Sequence, residues 1–254
     1  DGMNVFFLYV ALVILLSSMA VVVMLLLRRR IGGETLRRNH EVAGFVYSVV
    51  GAIFAVTVAL MVDTVHDEYI ASERCAASEA IAVGAIYQMA DWFPDSGGKT
   101  LQLNLRDYAN AVVGPEWAGM ARAVHRPAPE AEAAILSLSA SRKTIKPETA
   151  AQQAAYSEML QRFSALREFR YTRLYGKRYE LPFPIWFSVI FGGVITIGFT
   201  LFFSMHSTRA QVLLIFFVSA MIWSNILIIS EVQYPFNGIN ITPPRAMLQL
   251  QQRF

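Results

Sequence analysis

Cysteine is almost absent from this chain, charge is scarce, and the middles of its long apolar runs hold essentially no ionisable residue. Each absence excludes something. Cys75 is the only cysteine, so no internal disulfide, cysteine-based metal cage or iron-sulfur cluster is available to the chain. Charged residues make up only 16% of it and hydrophobic ones 55%, more apolar side chain than a soluble domain can bury. Charges within a membrane span mark proton relays and ion-coupled transport. Here Asp63 stands at the end of one run and Glu231 just past another, so a pump or proton-coupled transporter is not expected. No Ser-His-Asp order, zinc-ligand spacing, phosphate-binding loop or dinucleotide glycine fingerprint occurs; catalysis, a metal and a cofactor are therefore not expected. His40, His66, His125 and His206 lie at run ends or between runs, whereas a haem held by two histidines needs them at matching depth. The net charge of +3 comes mostly from one arginine-rich stretch, not from a basic stripe with interleaved aromatics, so nucleic acid is not an expected partner.

What the chain has instead is apolar length. Crossing a bilayer core takes about 20 apolar residues, and the runs 5–27, 42–62, 183–205 and 211–230 qualify. The first is expected to be a retained helix and not a signal peptide, because its apolar run is too long and arginines follow it where a cleavage site would have small residues. The expected fold is an all-α integral membrane protein with four transmembrane helices and a helical soluble domain inserted between the second and third. Its parts are a transmembrane hairpin over 5–63, the helical domain over 64–181, a second transmembrane hairpin over 182–230 and a tail over 231–254.

Beyond Asp63 the chain has no proline and only Gly84 until "PDSGG", which predicts that the second membrane helix runs on to about Trp92. A helix over 98–113 is expected to stop at "GPEW", with a short helix after it and another over 130–142. Pro147 is placed in the first turn of a further helix, with Glu148 beside it favouring the positive helix end. In that helix Tyr156, Met159, Leu160, Phe163, Leu166 and Leu174 form a stripe at steps of three and four, apart from one missed turn. "LPFPIW" ends it, where Trp186 and Tyr179 suit the headgroup layer.

Charge sets the expected orientation. Short loops obey the positive-inside rule, whereas long domains cross largely regardless of charge. Arg28, Arg29, Arg30, Arg37 and Arg38 crowd the connector between the first two spans, and Arg209 lies in the connector between the last two. Both connectors are therefore expected on the cytoplasmic side of a bacterial inner membrane, and the helical domain outside it. Arg167, Arg170, Arg173, Lys177 and Arg178, at the entrance to the third span, vote the other way. Arg170, Arg173 and Lys177 fall near one helix face at a height comparable to Asp67, Glu68 and Glu73. Two readings follow: ion pairing between the helices, or a basic vestibule that attracts anions.

The segments "NHEVAGFVYSVVGAIFAVTVAL", "RDYANAVVGPEW", "LPFPIWFSVIFGGVITIGFTLFF" and "YPFNG" occur in that order over nearly the whole chain. Together they resemble the bacterial bestrophin-like family. Asn39, Ala43, Gly44, Tyr47, Gly51, Tyr108, Glu116, Trp117, Pro182, Trp186, Gly198, Pro235, Phe236 and Gly238 match its pattern. Gln233 departs from it where an acidic residue is common, and His66 where an aromatic is usual. The resemblance implies kinship with bestrophins, which are pentameric anion channels with four membrane helices per subunit and a large helical domain. In bestrophins that domain is cytosolic, the reverse of what the arginines above suggest. The resulting expectation is a homo-oligomeric, channel-like protein in contact with the lipid bilayer, with the second span nearest the axis and anions permeant. Phe45, Val49 and Phe54 would form a hydrophobic constriction that gates by dewetting, although nine residues separate Phe45 from Phe54; Arg170 and Arg173 would form the vestibule. The alternative is a non-conducting accessory or scaffold subunit docked on a larger membrane complex.

Overall fold

A computed structural model of the chain describes residues 2–31, 40–122, 126–175, 181–201, 207–236 and 242–254. Arg37, Arg38, Asn39, His125, Lys177, Arg178, Tyr179, His206 and Gly238 lie outside the described residues. Among the described residues every regular element is helical: α1 (Gly2–Ile31), α2 (His40–Met89), a 3₁₀ turn (Ala90–Trp92), α3 (Ser96–Ala111), a π-turn (Val112–Glu116), α4 (Trp117–Ala121), α5 (Pro129–Thr144), α6 (Ala150–Tyr175), α7 (Phe183–Leu201), α8 (Thr208–Val232) and α9 (Arg245–Gln251). Four helices are long and apolar enough to cross a membrane, over Phe6–Arg30, Gly44–Trp92, Phe183–Thr200 and Thr208–Val232. The chain divides into two compact units, Asp1–Asp67 with Tyr179–Gln233, and Glu68–Arg178 with Tyr234–Phe254.

In the first unit α8 packs against both α1 and α7. The α1–α8 pair is antiparallel and pinned at both ends. Arg28 Nη1 donates to Gln211 Oε1 at 2.6 Å, and the Tyr9 hydroxyl donates to the Glu231 carboxylate. Arg29, Arg30 and Arg209 accordingly stand at the same end of this pair, exposed. Val189, Ile197, Ile222 and Ile226 form the core between α7 and α8, with Phe54 of α2 against it. Gly192 makes that contact possible, since a Cβ there would lie 2.9 Å from Phe54 Cδ2.

In the second unit the core draws on α2 (Val83, Ile86), α3 (Leu101, Leu105, Tyr108), α5 (Leu138), α6 (Met159, Phe163, Leu166) and α9 (Met247). Burying side chains of this size contributes about 1.5–3 kcal/mol each. Local signals fix the helix starts. Asp95 caps α3 by accepting from Gly98 N at 3.1 Å, satisfying one otherwise unpaired donor. Gly98 is required there, because a Cβ would stand 1.8 Å from the Phe93 carbonyl oxygen. In α5 the early acids Glu130 and Glu132 and the late bases Arg142 and Lys143 complement the helix dipole.

Three local expectations are corrected. Pro147 lies before α6 and not in its first turn. The helix is started by Thr149, whose Oγ1 accepts from Gln152 N at 3.1 Å while Gln152 Oε1 accepts from Thr149 N at 3.2 Å, a reciprocal capping box that needs no proline. The chain does not stop at "GPEW": helical structure continues through the π-turn into α4. Pro115 has no N–H to donate, and the wider π-turn that contains it carries the chain past the gap. The tail is not merely a tail, since α9 places Met247, 3% exposed, in the core of this unit.

Candidate functional site

Two features stand out, one in each unit. In the second unit, α6 carries Arg170 and Arg173 inward, α2 supplies Glu79, α3 supplies Tyr108, and the π-turn supplies Glu116. Arg173 has a fully buried side chain and grips Glu79 with two donors, Nε to Oε2 at 2.5 Å and Nη2 to Oε1 at 2.9 Å. The same Nη2 reaches Glu116 Oε1 at 2.6 Å. Arg170 donates to Glu116 Oε2 at 2.8 Å and to Glu132 Oε2 at 3.0 Å. The Tyr108 hydroxyl donates to Glu79 Oε1 at 2.6 Å. Trp117 lies under the Arg173 guanidinium, 5.2 Å from carbon to ring centroid, and donates its Nε1–H to the Thr242 carbonyl at 2.9 Å.

Each charge in this network is held by its neighbours. Burial opposes the Arg173 charge, but the Glu79 and Glu116 carboxylates more than offset it and hold the guanidinium above its ordinary pKa. Burial first, and then the Glu79 charge, push the Tyr108 hydroxyl well above the usual tyrosine range. Fork-shaped pairing of this kind fixes geometry as well as charge. The basic vestibule expected of Arg170 and Arg173 is thereby corrected, because both are buried and their charge is spent on Glu79, Glu116 and Glu132. The expected partners Asp67, Glu68 and Glu73 are not those the arginines take.

The second feature is on α2 within the first unit. Phe45, Val49, Ile53, Val56, Leu60, Asp63 and Asp67 recur at steps of three and four, and all are exposed, Phe45 by 74% and Ile53 by 64%. At about 100° per residue they share one face of the helix. Phe54, nine positions from Phe45, falls on the opposite face, where it packs with Val58 and Met61 against the rest of the unit. Phe45 and Val49 are thus brought together on a free face, and Phe54 is not; its place as third member of a constriction is corrected by its contact with Gly192. Inside the chain α2 buries a smaller share of its apolar run than any of the other three spans. Among the described residues no group of three or more His, Cys, Asp or Glu is placed to hold a metal ion.

Sequence reasoning missed Glu79 and Glu116 as partners of the arginines. Two signals pointed to them: the missed turn in the α6 stripe is where Arg170 stands, and Tyr108, Glu116 and Trp117 all belong to the "RDYANAVVGPEW" segment.

A family model described as "Bestrophin-like domain" matches residues 14–247. No curated protein matches the chain. Solved structures with the same fold include a bacterial bestrophin homologue from Klebsiella pneumoniae, with a TM-score of 0.65 and 12% identity over 96% of this chain and 98% of that one. A point variant of that homologue gives 0.66 at 12% identity, covering 97% of each chain. A structure described only as a membrane protein variant gives 0.64 at 13%, covering 97% of this chain and 95% of that one. At such identities the likeness is one of fold.

Proposed function

The chain belongs to the bestrophin-like family of membrane proteins, and from that membership we propose that it forms a homo-oligomeric ion channel in a bacterial inner membrane, with the exposed face of α2 lining the pore. The observation that carries this is the uninterrupted stripe Phe45, Val49, Ile53, Val56 and Leu60, which the chain itself leaves uncovered although the opposite face of the same helix is packed. Copies arranged about an axis would gather these stripes into one lining. Phe45 and Val49, the bulky pair nearest the start of the run, would form its apolar constriction, and a narrow apolar ring gates by excluding water.

In this proposal Glu68–Arg178 and Tyr234–Phe254 form the helical domain outside the bilayer. The ends of α1 and α8 bearing Arg29, Arg30 and Arg209 face the cytoplasm, as the positive-inside rule favours. The resemblance to bestrophins implies anions as the permeant, but the arginines that would have favoured anions are neutralised in the buried network.

The test begins with purification in mild detergent and mass determination of the intact particle, followed by ion flux from vesicles containing it. A ring of like chains that conducts, and whose flux rises when Phe45→Ala widens the constriction, is the expected result. One copy bound to larger foreign subunits, with no flux, would overturn the channel and favour an accessory subunit.

A further inference from the structure

One end of the α1–α8 pair carries charge of a single sign. The last turn of α1 holds Arg28, Arg29 and Arg30, the first turn of α8 holds Arg209, and neither turn contains an acid. In sequence, the stretch 28–41 sets five arginines against two glutamates. The apolar span that ends in these arginines, Phe6–Arg30, is 25 residues long, about 37 Å at 1.5 Å per residue, against a hydrocarbon core of about 30 Å. Its last guanidiniums therefore reach the headgroup layer. Arg28 Nη1 donates to Oε1 of the buried Gln211 at 2.6 Å, which fixes the level of α8 beside α1. Arg209, two positions from Gln211 and so about 3 Å along the axis, comes out at the same depth.

Arg29, Arg30 and Arg209 are exposed, and none pairs with a carboxylate among the described residues. Each stands one turn from an exposed leucine on its own helix face: Arg29 from Leu25, Arg30 from Leu26, 55% exposed, and Arg209 from Leu213, 56% exposed. A cation at headgroup depth beside an apolar side chain at acyl depth matches the two parts of a phospholipid. At about 100° per residue, Arg29 and Arg30 point to different sides of α1, and Arg209 lies about 160° around α8 from Gln211, the residue that faces α1. Guanidiniums so spread cannot converge on one dissolved anion, but each can meet the headgroup of a separate lipid. We infer that Arg29, Arg30 and Arg209 form a collar that retains anionic phospholipid in preference to zwitterionic lipid, in the leaflet that meets this end of the pair. Basic residues at this depth favour anionic headgroups, and the planar guanidinium fork suits a phosphodiester. Only the crossing of α1 and α8 through a bilayer is required, so a conducting ring and a silent accessory subunit would hold lipid here alike.

To test this, the full-length protein is reconstituted into vesicles of equal parts phosphatidylglycerol and phosphatidylcholine and extracted in mild detergent, and the lipids that stay with it are counted by mass spectrometry. The retained ratio of phosphatidylglycerol to phosphatidylcholine is expected to stand about fivefold above that of the vesicle, what one guanidinium contributes at a charged surface. Replacing all three residues, Arg29→Gln, Arg30→Gln and Arg209→Gln, should bring the ratio down to that of the vesicle, whereas the matching lysine variant, which keeps the charge, should hold most of the preference. Inorganic phosphate should displace no more lipid than sodium chloride of equal ionic strength. Equal retention of the two lipids by the wild type would overturn the inference, as would a preference that survives in the glutamine variant. A preference that inorganic phosphate abolishes while chloride does not would overturn it too, by marking a site for a dissolved anion. Should the glutamine variant fail to insert, the wild type alone decides. Screening must erode its preference as ionic strength rises, and a preference indifferent to salt would refute the collar.

Discussion

Arg173 offers the sharpest test of the buried network. Arg173→Met keeps most of the side chain's length and removes the guanidinium. Glu79 would then keep only the Tyr108 hydroxyl, at 2.6 Å, while Glu116 would retain Arg170 at 2.8 Å. One carboxylate is stranded, in a place where its side chain is 1% exposed. Breaking a buried pair by removing one partner costs about 3–5 kcal/mol. For a chain of this size each kcal/mol moves the melting temperature by about 2–4 °C, so a fall of about 6–20 °C is expected on this scale. Adding Glu79→Gln removes the stranded charge and preserves an acceptor for Tyr108. The double variant should therefore melt above Arg173→Met, with a coupling of about 2–3 kcal/mol between the sites. Thermal unfolding in detergent, followed by far-ultraviolet circular dichroism, measures both. If Arg173→Met costs less than about 1 kcal/mol, as an exposed pair would, or if the two substitutions simply add, then the network is not the closed, desolvated unit described above.

Tyr108 gives a dependence on pH. Its folded-state pKa is raised by burial and by Glu79, so its contribution to stability is full below the unfolded value of about 10 and is lost as pH rises above it, because the unfolded chain releases the proton first. Melting temperature should fall with pH above about 10, and Tyr108→Phe should flatten that fall; an unchanged slope would refute the assignment. Gly98→Ala places a Cβ against two backbone carbonyls, 1.8 Å from Phe93 O and 2.6 Å from Ala90 O, and should cost at least the 1–3 kcal/mol, roughly, of overpacking. Gly84→Ala meets only the flexible end of Leu250 at 3.0 Å, and should be tolerated; equal melting of the two variants would show that the close approach at Gly98 is not limiting.

Length and hydropathy carried most of the fold. Four membrane helices and the run of α2 past Asp63 to Met89 follow from apolar length and from the scarcity of glycine and proline. The apolar stripe of α6 is likewise visible in the spacing of Met159, Phe163 and Leu166, all buried. What escaped depends on pairings far apart in sequence. Arg173 and Glu79 are separated by 94 positions, and no local period links them. The π-turn escaped because Pro115 in an otherwise helical stretch reads locally as a stop. The start of α6 was misread because a first-turn proline at Pro147 and a capping box that begins at Thr149 are both helix-start signals, only two residues apart. The helical face of α2 was partly legible, since the nine-residue gap between Phe45 and Phe54 is two and a half turns at about 3.6 residues per turn; which of the two faces the chain covers needed the contact with Gly192.

The packing of α9 bears on how the protein is made. Met247 completes a core otherwise built from residues before Leu174, with Phe236, Leu250 and Phe254 against it, and the Thr242 carbonyl caps the Trp117 indole. On the ribosome those last residues are synthesised only after α7 and α8. The core therefore cannot close as it emerges, and the Trp117 indole N–H must wait for its acceptor until α7 and α8 have been synthesised. A chain cut short before Thr242 would leave that core without Met247 and the Trp117 N–H without its acceptor, so truncation would register at once as an unfinished domain open to proteolysis.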